Sequence, residues 1–404
     1  MKVLLYTDLT IRPDQLFWHR DLGLLTKAFC DLGHNALLVV HLATEPPPLP
    51  TFAPSHIPTS AASDIKHPTS KIPEEPVLWP SPLDVRNPSW WQFQKPDLVI
   101  LGLWTRPKYD PIRRAALSAT PRVIERADSD GMRTASCGLL TYAKRRFDYF
   151  RDRTYHWPSL LSIPASIFYS FASILATPWI ETRLARTLKM LPSLVVETPQ
   201  AAALWKSLAT RLGADPEKIH CVPHPIQTDI FKFDPAVPKK NQIIAVGRWE
   251  SYQKNLPLLL KTLRAFLDKN PTWTSLVIGS GLPAKSLHPR ITFLPPLAPR
   301  DLALHMQESK FFLSTSRYES FGLAAAEATA CGCAFVGLLV IPILNNEPTP
   351  QNNSFLDSTF SLLAGKLQDA AKLEEPSSNQ MKIVPISSPQ SITNLLLRLS
   401  VVSK

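Results

Sequence analysis

Apolar runs and polar loops alternate along this chain in a regular way. Residues 3–6 form an apolar run, and a polar loop follows. Leu22, Leu24, Leu25, Ala28 and Phe29 then recur at helical spacing and are closed by Gly33. Residues 36–40 are apolar again and end in β-branched residues. Strand, loop, helix, glycine and strand in succession predict a parallel α/β sheet. The rhythm returns at residues 98–103, 122–124 and 193–196. A second series begins at 243–246 and continues through 275–278, 291–294, 311–313 and 334–336. The pattern predicts two α/β domains. The first spans 1–237 and the second 238–388. Residues 389–404, with Ile392, Leu395, Leu396, Leu397 and Leu399, predict a closing helix.

Three stretches break the rhythm. Residues 45–83 hold eleven prolines with serine and threonine but little apolar periodicity, which predicts an extended or poorly ordered surface insertion. Residues 231–242 contain Asp234-Pro235 and Val237-Pro238 and read as an interdomain linker. The segment 144–180 opens with five Arg or Lys residues between 144 and 153, and 157–180 has no charged residue at all. Pro158, Pro164 and Pro178 argue against a membrane-spanning helix. Two readings fit: a patch lying on an anionic membrane face, or a buried helical hairpin with a solvated basic flank.

Composition narrows the class. Hydrophobic residues make up 45% and charged residues 19%, which excludes wholesale disorder. Forty prolines against 13 glycines is an unusual balance for 404 residues. Five scattered cysteines show neither a disulfide framework nor zinc spacing, so a reducing, cytoplasmic setting is expected. The opening apolar run is too short for a signal peptide. A net charge of +11 favours anionic partners, among them phosphates or an anionic membrane face. Nucleic acid is not expected, because basic and aromatic residues are not interleaved as in a binding module.

Candidate chemistry lies in the second half. Gly322 stands where a strand hands over to an alanine-rich helix starting at Leu323, so the free backbone N–H groups near Phe321, Gly322 and Leu323 make an anion site. Glu327, further along that helix among small residues, has the two acceptors a vicinal diol needs. Glu319 precedes the helix and is placed to receive sugar hydroxyls. Taken singly, Glu319 reads better as a capping acid and Glu327 as a salt-bridged helix residue; their combined spacing favours the site. Gly247 lets the chain leave its strand sharply, and Arg248 and Lys254 then flank a loop at the carboxyl end of the sheet, a pairing suited to a diphosphate. Gly279-Ser280-Gly281 either passes close to a ligand or merely turns the chain.

Gly247-Arg248 through Lys254, followed by Glu319-Ser320-Phe321-Gly322 through Glu327, resembles the donor site of GT-B glycosyltransferases, specifically glycosyltransferase family 4. The resemblance covers nearly all of the second half, including Cys221-Val222-Pro223-His224-Pro225, where the family often has Pro-Asn-Gly. The first half matches only in rhythm. The resemblance implies two Rossmann-like α/β domains facing across a cleft, with the last helix, 389–404, crossing back to the first. It also implies a retaining, metal-free enzyme with no cofactor, which uses a nucleotide-diphosphate sugar as donor. Arg248 and Lys254 would stabilise the leaving diphosphate, Glu327 would bind ribose and Glu319 the donor sugar, with Gly247 and Gly279 lining the donor site. The acceptor would be a carbohydrate or, as the basic and apolar 144–180 segment suggests, a lipid-linked glycan, with the protein either free in the cytoplasm or peripheral on the cytoplasmic membrane face.

The departures lie in the first half. The family often has two glycines after its first strand, whereas residues 8–19 have none. Asp128, in Asp128-Ser129-Asp130-Gly131, takes roughly the place of a histidine common in the family. It reads either as an acceptor base or as a turn acid. A catalytically inactive nucleotide-sugar sensor or scaffold is the alternative, and the retention of Arg248, Lys254, Glu319 and Glu327 argues against it.

Overall fold

In the computed structural model, residues 1–11, 18, 21–42, 76–285, 288–337 and 388–402 are described. The first domain runs β1 (Lys2–Ile11), α1 (Asp21–Asp31), β2 (Asn35–Leu42), β3 (Val77–Leu78), α2 (Pro88–Gln94), β4 (Leu98–Gly102), α3 (Asp110–Leu117) and β5 (Val123–Arg126). Three helices then intervene: α4 (Leu139–Arg153), α5 (Ser159–Leu175) and α6 (Thr177–Met190). β6 (Ser193–Val196), α7 (Pro199–Arg211) and β7 (Ile219–Cys221) complete the domain. The second domain runs β8 (Lys240–Arg248), α8 (Leu256–Lys269), β9 (Thr274–Ser280), β10 (Ile291–Leu294), α9 (Pro299–Glu308), β11 (Ser309–Ser314), α10 (Leu323–Ala330) and β12 (Ala334–Gly337). The last helix is α11 (Pro389–Val402).

All strand pairings are parallel. The first sheet has the order β3-β2-β1-β4-β5-β6-β7 and the second β10-β9-β8-β11-β12. The central strands are apolar on both faces because helices cover both sides, so Val3, Leu5 and Ile100 face one layer while Leu4, Val99 and Leu101 face the other. Strand order reverses between β1 and β4 and again between β8 and β11. Ligands of open parallel sheets bind at the carboxyl ends of the strands flanking such a switch point.

Three sequence expectations change in detail. Most of the proline-rich stretch lies outside the described residues, but Val77 and Leu78 form an edge strand paired with Leu38 and Val39. The expected linker is packed rather than free: Phe231 is buried in the second domain's core with Ile226, and Lys239 donates to the carbonyls of Met306, Ser309 and Cys331. The apolar 157–180 stretch forms a helical hairpin with α4, but its large side chains are not buried. Leu160, Phe168 and Phe171 face outward. In α11, Ile392 and Leu396 join the core under β1 and α1, so the chain does return to the first domain. All five cysteines are free.

β5 carries two buried charges on opposite faces. Arg113 and Glu125 are fully enclosed and form a bidentate pair, with Nε to Oε2 at 2.5 Å and Nη2 to Oε1 at 2.8 Å. The guanidinium also donates to Asp110, Arg106 O and Trp104 O. Removing one partner leaves the other buried and unpaired, at a cost of about 3–5 kcal/mol. Arg113→Ala should therefore lower first-domain stability by about that amount in urea unfolding. The double change Arg113→Met with Glu125→Leu should recover most of the loss. An unaltered single variant would show that the pair does not hold β5.

Candidate active site

The carboxyl ends of β8, β9 and β11 converge. β8 and β9 stay in register to their last residues, Gly247 against Gly279 and Arg248 against Ser280. Gly279 has φ +139°, and a Cβ there would lie 1.8 Å from the Gly247 carbonyl oxygen. Only glycine permits that approach. A Cβ on Gly281 would meet the Glu250 backbone nitrogen at 2.4 Å, and Ser280 Oγ donates to the Glu250 carboxylate at 3.0 Å. Gly279-Ser280-Gly281 is thus the bed on which the Arg248 loop rests. Trp249 anchors the loop from below, buried and donating to Ile278 O at 3.0 Å.

Across the switch point, Lys254 and Glu319 form an ion pair, Nζ to Oε1 at 2.5 Å. Ser316 Oγ donates to the same oxygen at 2.7 Å, and Gln253 Nε2 reaches the other at 3.3 Å. Gln253 also donates to Tyr318 O and accepts from Arg317 N, which laces the β8 exit loop to the β11 exit loop. The Arg248 side chain is exposed, with no polar partner among the described residues. Gly322, at φ +94°, starts α10 without a side-chain cap, leaving backbone N–H groups open at the helix start. The ring of Phe321 is itself buried, so only its backbone faces the site. Glu327 is half-buried one turn further on.

The predicted residues therefore fall into two groups. Gly247, Arg248, Lys254, Gly279, Glu319, Phe321, Gly322, Leu323 and Glu327 gather at the carboxyl edge of the second sheet. Asp128 belongs to the first domain and is exposed there beside buried Glu197 and His224. The two groups touch through the edge-to-face contact of His224 with Phe321, ring centroids 5.2 Å apart.

The first-domain cluster was not foreseen from the sequence. Its hub is Arg126, which donates to Val222 O, Pro223 O and Asp21 and lies 3.2 Å from His224 Nδ1. Asp21 takes a left-handed backbone at φ 48°, unusual for a non-glycine residue, and is gripped by Arg126 and His224. Burial works against the Asp21 carboxylate, but His224 and Arg126 outweigh it and hold its pKa well below the usual range. Burial likewise opposes charge on His224, yet Asp21 raises its pKa. For Glu197 burial dominates, only partly opposed by His224, and pushes the carboxyl up to about 8. Asp128, Glu197 and His224 each place one ligand atom within 4.8 Å of the others, a set of cation-ligand type. The adjacent Arg126 guanidinium competes with a cation there. Asp130, the other acid of the Asp-x-Asp doublet, turns away to pair with Arg145 at 2.5 Å, so the doublet does not chelate.

α4 joins the two groups, and this too was missed. Arg145 lies over the Tyr318 ring at 4.0 Å, Asp152 accepts from Gln253 N at 3.1 Å, and Tyr252 OH approaches Asp148 at 3.5 Å. The basic helix of the first domain thus grips both exit loops of the second, the one after β8 and the one after β11.

Known proteins resemble this chain in both sequence and fold. The family model for glycosyl transferases group 1 matches residues 240–346. A GDP-mannose:cellobiosyl-diphosphopolyprenol alpha-mannosyltransferase of Xanthomonas campestris is 25% identical over 203 residues, 47% of this chain and 50% of that protein. One component of human phosphatidylinositol N-acetylglucosaminyltransferase is 26% identical over 200 residues, 46% of this chain and 39% of that one. The matched stretches thus span half or less of these relatives' own lengths. Anabaena HepE, solved with UDP and glucose, superposes with a TM-score of 0.51 at 13% identity, covering 100% of this chain and 98% of that one. The architecture is the two-domain GT-B fold.

The buried acid and the close strand contact each have a measurable consequence. The folded state keeps the Glu197 proton that the unfolded chain releases at an ordinary carboxylate pKa, so stability falls as pH rises between about 4.3 and about 8. His224 acts in the same direction as pH rises from about 6.5 through its raised pKa. Thermal melts across pH should show Glu197→Gln with a flatter decline than wild type; identical slopes would reject the assignment. Gly279→Ala should cost more than about 2 kcal/mol in the second domain, since its methyl cannot fit against Gly247 O. A neutral melt would show that the strand ends separate freely.

Proposed function

We propose that the protein is a retaining glycosyltransferase that moves a sugar from a nucleotide-diphosphate donor to a lipid-linked acceptor. The observation that carries this reading is the convergence of exposed Arg248, the Lys254–Glu319 pair and the open start of α10 on one site at the carboxyl edge of the second sheet. One positioned cation, one mobile cation and open helix N–H groups along one sheet edge favour a group that gains negative charge as a bond breaks. The relatives support the donor and acceptor classes: one is named for a GDP-sugar and a diphosphopolyprenol, the other for phosphatidylinositol.

In the proposed step, the bond from the sugar's anomeric carbon to the diphosphate breaks, and its electron pair stays on the diphosphate. A new bond forms from the acceptor oxygen to the same carbon, and the acceptor proton passes to the departing phosphate oxygen. Arg248 contacts the diphosphate directly and is free to swing onto it. Lys254 is held by Glu319, Ser316 and Gln253, so its ammonium is positioned before the donor arrives. Glu319 therefore acts on Lys254 as well as on the sugar. Glu327 holds the ribose hydroxyls. Retention follows the resemblance to family 4, and no metal is required because the two cations neutralise the leaving group. Asp128 and the neutral Glu197 carboxyl stand on the acceptor side.

Calorimetric titration with UDP, GDP, ADP, CDP and dTDP should find one nucleotide that binds well. Its affinity should fall about 10- to 100-fold in Arg248→Ala, as expected for loss of a charge-assisted contact. Glu327→Ala should weaken nucleotide binding, whereas Glu319→Ala should reduce turnover more than affinity. Binding by none of the five, or equal losses in every variant, would overturn the reading. Turnover should persist in EDTA. A strong requirement for added Mn²⁺ would instead place a cation at Asp128, Glu197 and His224.

A further inference from the structure

Polarity in the α4–α5 hairpin runs opposite to that of a water-facing helix pair. The buried stripe of α5 is Ser162, Ser166, Ser170 and Ser173. Their hydroxyls turn inward, Ser170 Oγ to Ala143 O at 2.7 Å, Ser166 Oγ to Ser162 O at 2.6 Å and Ser173 Oγ to Tyr169 O at 2.7 Å. Two arginines of α4 also point into this seam. Arg146 donates to Ser173 Oγ at 3.2 Å and to Tyr169 OH, and Arg151 donates to Ser162 Oγ. The outward stripe is apolar: Leu160 is 85% exposed, Phe168 73% and Leu175 65%, with Leu161, Ile167 and Phe171 beside them. In water this arrangement forfeits the hydrophobic driving force, buries the serines and half-buries Arg146 and Arg151 instead. It is favourable when an apolar phase lies outside.

We infer that the outer face of α5 seats in one leaflet of an anionic bilayer. Its ends carry the side chains suited to an interface. Trp157 precedes the helix and Trp179 follows it, both exposed, at the positions where indoles sit among headgroups. Exposed Arg153 stands just before Trp157, while Arg183 lies over the Trp179 ring at 4.0 Å with exposed Arg186 and Lys189 beyond. Cations at both ends complement anionic headgroups.

A second copy of the chain is the less suitable occupant, because pairing these faces would bring two basic rims together on molecules of net charge +11. The helix lies on the bilayer and does not cross it. Seventeen residues span about 25 Å, against about 30 Å of hydrocarbon. Among the described residues no single helix is long and apolar enough to cross a membrane. α5 joins α6 through a 60° bend. Because α4 also grips the donor-site loops, the seated face lies one helix away from the cleft. The surface carries this inference without reference to the transfer chemistry.

The test is flotation of the full chain with phosphatidylcholine vesicles and with vesicles that also contain phosphatidylglycerol. Wild type should float with the anionic vesicles and be released by salt. Phe168→Ser and Phe171→Ser should each weaken this about tenfold, while Arg183→Gln/Arg186→Gln should weaken anionic binding alone. Nucleotide affinity, measured on the same preparations, should be unchanged in all of them, which also reports that they fold. Equal flotation of the serine variants would overturn the inference. Absence of flotation together with a concentration-dependent dimer that the serine variants abolish would overturn it in favour of a self-interface. Failed flotation with intact nucleotide binding would remove the membrane seat and leave the transferase reading standing.

Discussion

One ion pair ties together everything at the carboxyl edge of the second sheet. Lys254 and Glu319 come from the exit loops of β8 and β11, on either side of the switch point, and their 2.5 Å contact locks these loops together. Ser316 and Gln253 add neutral hydrogen bonds to the same carboxylate, so Lys254 has little freedom left to lose. Arg248 is unconstrained by comparison and remains free to follow the ligand. One fixed and one mobile cation give the site both preorganisation and adaptability.

Packing outside the site serves the same end. The Gly279–Gly247 contact brings two strand ends closer than any side chain would allow, and buried Trp249 then props the Arg248 loop from beneath. From the other domain, α4 holds the same loops through Arg145, Asp148 and Asp152. Its own anchor is Asp130, in the loop that also presents Asp128. A continuous line of contacts thus runs from the Asp128 loop through Arg145 to Tyr318 and on to Glu319. A displacement of α4 would be felt at both the Asp128 loop and the Lys254–Glu319 pair.

The hairpin gives α4 a second role. Its arginines fill the serine seam of α5, and the apolar face of α5 turns outward. The basic residues of 144–153 are therefore divided: Lys144 pairs with Asp148, Arg145 goes to the cleft, Arg146 to the seam, Arg151 to the seam and the Tyr252 ring, and Arg153 to the rim. A charge run counted along the sequence conceals that division.

Much of the fold was legible in the sequence because its signals are local. Apolar runs of three to six residues, helical spacing and closing glycines reflect periods of two and 3.6 that any short window reveals. The second-domain site was legible for the same reason, since Gly247-Arg248 through Lys254 and Glu319 through Glu327 are each one strand–loop–helix passage. What the sequence alone could not determine depends on residues far apart in the chain. Arg126 meets Pro223, 97 positions away, Ser129 meets Glu197, 68 away, and Tyr252 meets Asp148, 104 away. No window contains both partners, so the charged cluster beneath Asp128 and the grip of α4 were hidden. The direction in which α5 faces was hidden too. Its composition records that serines and large apolar residues alternate at helical spacing, but only the position of α4 decided which stripe was buried.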